Sequence, residues 1–121
     1  MADVRAAIKC CVAAGESENE KNASLVKHLK RWHIDARVNY NSGPDIIGDN
    51  FIIECKWDLL SKVVLDRLIG QLNGYMNRYS CHIFVVVYNG AKKSLLDELK
   101  DFCWRQNYVP GVEVIVYLEV V

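Results

Sequence analysis

Two carboxylates and an ammonium fall close together in an otherwise apolar stretch of this 121-residue chain. The stretch is Gly43-Pro44-Asp45-Ile46-Ile47-Gly48-Asp49-Asn50-Phe51-Ile52-Ile53-Glu54-Cys55-Lys56. Side chains of a strand alternate faces, so Glu54 and Lys56 share one face while Ile53, Cys55 and Trp57 share the other. A turn at Gly48-Asp49-Asn50 folds the two apolar runs into a hairpin and brings Asp45 beside Glu54. Two carboxylates and an ammonium on one sheet face are too costly to be core filler. They suit a divalent cation. The hard oxygens of Asp45 and Glu54, with the backbone carbonyl of Cys55, form a donor set for Mg²⁺ or Mn²⁺. Lys56 beside them would orient a water and hold phosphate charge, since nearby carboxylates oppose the lowered pKa that a base would need. Asp49 rivals Asp45 as a ligand, but its place between Gly48 and Asn50 is that of a turn residue.

These side chains need elements to position them. After the polar stretch Gly15 to Asn19, Leu25, Val26, Leu29 and Trp32 recur with a helical period. Ser17 and Glu20 have the spacing of a capping box. An earlier helix within Val4 to Ala14 would turn the polar stretch into a loop between two helices. A strand is expected at Ala36 to Tyr40, with a turn at Asn41-Ser42-Gly43 and then the hairpin. Ser61 to Tyr79 reads as a long helix, its apolar face including Leu65, Leu68, Leu72 and Tyr75. Cys81 to Tyr88 is a continuous apolar run, which suits a central strand covered on both faces. A helix from Ala91 to Gln106, a break at Pro110-Gly111 and a strand from Val112 to Val121 complete the chain. The predicted class is α/β, with a mixed sheet flanked by helices in the order α-β-β-β-α-β-α-β.

The composition, 51% hydrophobic and 25% charged, is ordinary for a globular domain, and 121 residues suffice for one core. No apolar run approaches the roughly 20 residues that span a bilayer. The opening Met1-Ala2-Asp3-Val4-Arg5 lacks a signal peptide's pattern, so an intracellular chain is expected. The 5 cysteines (Cys10, Cys11, Cys55, Cys81, Cys103) are odd in number and lack Cys-x-x-Cys spacing, which argues against a disulfide framework or a zinc site. A net charge of zero means that any nucleic acid would have to be held by a local patch.

Pro44-Asp45 and Glu54-Cys55-Lys56 resemble the motif of the PD-(D/E)xK nuclease superfamily. The order of elements matches the core of its restriction-endonuclease-like fold, so the resemblance covers most of the chain. It implies one nuclease domain over residues 1–121, an endonuclease that hydrolyses DNA phosphodiesters with Mg²⁺ or Mn²⁺ and no small-molecule cofactor. Members often carry a further acid on the first helix. Glu18 lies near the apolar side of that helix and Glu20 is rotated away. The family's usual offset falls near Asn22, so the choice between Glu18 and Glu20 stays open, and either is equally a solvated helix-start carboxylate. Gln71 and Tyr75 match a Gln-x-x-x-Tyr pattern of some branches. Sharing a helix face, they either reach toward the site and the DNA backbone or flank the core. Lys27, Lys30 and Arg31, with Lys21, Arg37, His28 and His33, offer a phosphate track or simply a solvated helix face. The minimal domain is similar to archaeal and viral Holliday-junction resolvases. That similarity implies branched DNA as substrate and a homodimer, with Val112 to Val121 at its edge or core. An inactive nucleic-acid-binding module of the same fold, or a protein-interaction domain, remains the alternative.

Overall fold

A computed structural model of the chain describes residues 3–106 and the backbone of 114–118. Its elements are α1 (Val4–Cys10), α2 (Glu18–Arg31), β1 (Ala36–Val38), β2 (Ile46–Gly48), β3 (Phe51–Lys56), α3 (Lys62–Arg78), β4 (His82–Val87), α4 (Lys93–Gln106) and β5 (Val114–Leu118). The strands form one five-stranded sheet in sequence order. Pairing is antiparallel from β1 to β3 and parallel from β3 to β5. The chain is thus a mixed α/β structure with helices on both faces of the sheet.

Each face has its own core. Ile8, Leu25 and Leu29 of the first two helices pack on Ile53, Phe84 and Val86. Leu65, Leu68 and Leu72 of α3 and Leu99 of α4 pack on Ile52, Ile83 and Val85. Strands β3 and β4 lie between these layers, which is why their sequences run apolar without alternation. Glu54 interrupts that run while only 3% exposed, so its burial demands an explanation beyond packing.

The hairpin forms in the expected register, Ile46 opposite Ile53 and Ile47 opposite Ile52. Gly48 is needed at the turn because a Cβ there would collide with the Phe51 ring. Ser17 caps α2 by accepting from Glu20 N–H at 3.2 Å, while the Glu20 carboxylate accepts from Glu16 N–H at 2.7 Å. At its other end α2 closes with Lys30 and Leu29 carbonyls accepting from His33 and Ile34 N–H, and His33 takes the left-handed φ of 60° that glycine usually supplies.

The structure differs from expectation at two places. A separate helix α1 precedes the polar stretch, making the order α-α-β-β-β-α-β-α-β. The strand expected through Tyr40 stops at Val38, because Asn39 turns its side chain onto the following loop. Of the last expected strand only Val114–Leu118 is described, and Pro110-Gly111 and the strand's outer residues lie outside the described residues. No helix among the described residues is long and apolar enough to cross a membrane. No disulfide joins the five cysteines.

Candidate active site

The C-terminal end of β3 gathers the side chains singled out in the sequence. The register carries on to set Asp45 opposite Glu54. Asp45 Oδ2 accepts the Cys55 backbone N–H at 2.8 Å, and the two carboxyls lie within hydrogen-bonding reach of each other. Lys56 Nζ stands 3.6 Å from Glu54 Oε2. From α3, the Tyr75 hydroxyl donates to Glu54 Oε1 at 2.9 Å. Glu18, in the first turn of α2, accepts the backbone N–H of Trp57 and thereby reaches the same end of the sheet.

The backbone supplies one more donor. Lys56 C=O accepts from Tyr88 N–H on the β4 side. Polar groups of successive strand residues point to opposite sides. Cys55 therefore turns both its N–H and its C=O toward Asp45, past the end of β2, while its thiol lies in the opposite core beside Tyr88.

Three acids so placed resist ionising together. Burial, then the charge of Asp45, pushes the Glu54 carboxyl up to about 7, against the Tyr75 hydroxyl and Lys56, which favour the anion. Burial likewise raises Asp45, against the Cys55 N–H and Lys56. Glu18 is raised by burial and by Asp45. Burial and mutual repulsion thus favour the protonated form at this pair. The Tyr75 hydroxyl is held well above its usual range by burial and by Glu54, so it stays a donor.

The expected site residues fall into two groups. Asp45, Glu54, the Cys55 carbonyl, Lys56, Glu18 and Tyr75 converge. Gln71, one turn from Tyr75, has its Oε1 buried without a hydrogen-bond partner. Because α3 runs back from the end of β3 to the start of the parallel β4, Gln71 lies on the Lys56 side of Tyr75. Glu20 does not join the site, since its carboxylate closes the cap of α2. Nor does Asp49, which lies in the turn at the far end of β3. There it lines, with Asn50, Phe51, His33 and His82, a cavity of about 420 Å³. Lys27, Lys30 and Arg31 are exposed but sit roughly 13 to 20 Å along α2 from Glu18, at 1.5 Å per residue, and so do not flank the carboxylates.

The two first-turn acids should separate experimentally. Glu20→Ala removes a cap bond and should lower stability by about 1 kcal/mol in urea denaturation. Glu18→Gln relieves repulsion with Asp45 and should leave stability unchanged or raised at pH 8. The reverse order would place the wrong acid in the cap.

Two features escaped sequence reading. Lys21, taken as part of a basic surface, is 1% exposed, its ammonium 5.5 Å from the Trp57 ring centroid and 5.7 Å from that of Tyr88, with no hydrogen-bond partner. The faces of two aromatic rings stand where an acceptor would be expected. Tyr40, expected at a strand end, is 87% exposed on the loop next to Asp45. Loop aromatics carry no periodicity that would reveal them.

Among the described residues, no three His, Cys, Asp or Glu side chains close into a ready-made metal group. The donor set at β3 is instead two carboxylates and a carbonyl, with Glu18 further out. No family model, curated protein or solved structure matches this chain.

Proposed function

We propose that this chain is a metal-dependent endodeoxyribonuclease of the PD-(D/E)xK type, with the restriction-endonuclease-like fold. One observation carries the reading. Asp45 and Glu54 face each other at a buried strand end, a pairing of acids that neither packing nor solubility requires, with Lys56 Nζ 3.6 Å from Glu54 Oε2. Gathered anionic charge held by hard oxygens fits Mg²⁺ or Mn²⁺, and the Cys55 carbonyl turned toward Asp45 fits as a third donor.

Asp45 and Glu54 would hold the ion as carboxylates. The bound ion supplies Lewis acidity toward phosphate and makes a water more acidic. The Cys55 N–H fixes the rotamer of Asp45, and the Tyr75 hydroxyl fixes that of Glu54. Lys56 would neutralise a phosphate oxygen and orient the attacking water. Glu18 would accept hydrogen bonds from water held at the site. Branched DNA and a homodimer of the resolvase kind are the narrower form of this proposal.

An inactive nucleic-acid-binding module of the same fold, or a protein-interaction domain, is the second reading. It is favoured by the lack, among the described residues, of a closed three-side-chain metal group. Calorimetric titration with Mn²⁺ at pH 8 separates the two. The nuclease reading expects saturable binding that Asp45→Ala abolishes and Glu20→Ala leaves intact. Absence of binding heat, or binding indifferent to Asp45→Ala, favours the module.

A further inference from the structure

We infer that Arg37 grips a DNA phosphate flanking the carboxylates, so that the bound strand lies across the β1 edge of the sheet. The inference rests on the proposed nuclease reading and adds how that site holds its substrate. The face on which Arg37 stands is set by its neighbours. Ala36 and Val38 on either side of it belong to the core under α2, so Arg37 turns to the opposite face, the one that carries α3. Its partner across the ladder is Ile47, which pairs in turn with Ile52, and both isoleucines pack with α3. The carboxylates open on that same face, since Tyr75 of α3 donates to Glu54.

The register also sets how near they are. Asp45 comes two residues before Ile47, and its carbonyl accepts the Asn39 N–H at 2.8 Å, which extends the ladder to that level. Arg37 and Asp45 are therefore diagonal cross-strand neighbours, with about 7–8 Å between their backbones, within reach of a long side chain. Even so, no carboxylate among the described residues pairs with Arg37, which stays exposed. Asp45 is turned to the Cys55 N–H instead.

The surface between them is open. Helix α3 packs chiefly on Ile52, Ile83, Val85 and Val87 of β3 and β4 and leaves Ile47 half-buried. The β1 and β2 side of this face is thus a shelf that ends at Asp45 and Glu54. An arginine on an edge strand often only deters other strands from pairing. That role needs a charge but no particular neighbour, whereas Arg37 stands beside the acids proposed to hold an ion. An ion bound there would offset both carboxylates and leave the guanidinium as an exposed positive group beside it. Its planar fork matches two phosphate oxygens at once. Such a contact fixes where a strand lies without reading its bases. Lys27, Lys30 and Arg31 belong to α2, on the other side of the sheet, and do not reach this shelf.

The test is fluorescence anisotropy of the full chain with a labelled DNA duplex, in Ca²⁺ buffer to avoid cleavage, from about 50 to about 200 mM salt. Arg37→Ala should weaken binding about tenfold and reduce the log–log salt slope by about 1. Arg37→Lys keeps the charge and should keep the slope. Lys30→Ala, on the other side of the sheet, should change neither. Both positions are exposed, so every variant should unfold at the wild-type urea midpoint. With Mg²⁺, Arg37→Ala should raise KM for cleavage and leave kcat nearly unchanged, as the loss of a contact made equally in ground and transition states requires. An unchanged slope in Arg37→Ala, an equal loss in Lys30→Ala, no binding by wild type, or a loss confined to kcat would overturn the inference. Arg37-dependent binding by a chain that cuts nothing would sink the nuclease reading alone. Cutting by a chain whose salt slope ignores Arg37 would sink only this inference.

Discussion

Glu54→Gln is expected to raise the melting temperature of the metal-free protein at pH 8 and to abolish Mn²⁺ binding. A substitution that disables a site while strengthening the fold marks a residue kept for chemistry. The sign follows from the protonation of Glu54. Its carboxyl is raised from 4.5 to about 7 by burial and by Asp45. Between those values the folded chain binds a proton that the unfolded chain does not. The stabilisation is full below the unfolded value, fades as pH rises, and is lost once pH passes through about 7. At about 1.4 kcal/mol per pH unit, wild type in EDTA should be roughly 2 kcal/mol less stable at pH 8 than at pH 5.5. Asp45 and Glu18, both raised, push the same way. Glutamine keeps an oxygen to accept from Tyr75 and removes the charge facing Asp45. For a chain of this size, stability differences of that order shift the melting temperature by several degrees. Thermal denaturation across pH 5.5 to 8 checks it. A wild type that is most stable at pH 8 without metal, or a destabilised Glu54→Gln, would mean that the carboxylate is already well neutralised by Lys56.

Lys56→Ala should lower kcat for DNA cleavage by about 10²- to 10³-fold, the scale of losing one preorganised charge beside a developing anion. The ammonium lies at the strand end with a 19% exposed side chain, close to Glu54 Oε2. Its removal deletes an influence that favours the Glu54 anion. Mn²⁺ binding in the variant should therefore move to higher pH while surviving at pH 8.5. Single-turnover cleavage with saturating metal at that pH isolates the effect on chemistry. A loss cured entirely by raising the pH would leave Lys56 as a tuner of Glu54 and nothing more.

Local rules made much of the site legible. A strict two-residue alternation put Glu54 and Lys56 on one face, and the glycine turn fixed the register that brings Asp45 to Glu54. The i to i+4 spacing was enough to aim Tyr75 at the same face as Gln71, though the spacing alone did not decide between site and core. The serine cap revealed which of Glu18 and Glu20 was already engaged once the bond from Glu16 N–H was seen. What escaped depended on distant chain. Lys21 reads as a solvated helix residue until Trp57 and Tyr88, from the ends of two other strands, close over it. Lys27, Lys30 and Arg31 looked like neighbours of the site only because the direction of α2 relative to β3 has no local signature. Tyr40 followed a β-like sequence, and Asn39 ended the strand through bonds to a loop that had not yet formed.

The most direct measurement is cleavage of end-labelled single-stranded DNA, linear duplex and four-way junction by the wild-type chain with Mg²⁺, Mn²⁺ or EDTA. Cuts are expected in at least one of these DNAs with either metal, absent in EDTA and strongly reduced in Lys56→Ala. Intact DNA in every metal-containing reaction, or cutting that persists in EDTA, would contradict the assignment of Asp45, Glu54 and Lys56 to a metal-dependent nuclease.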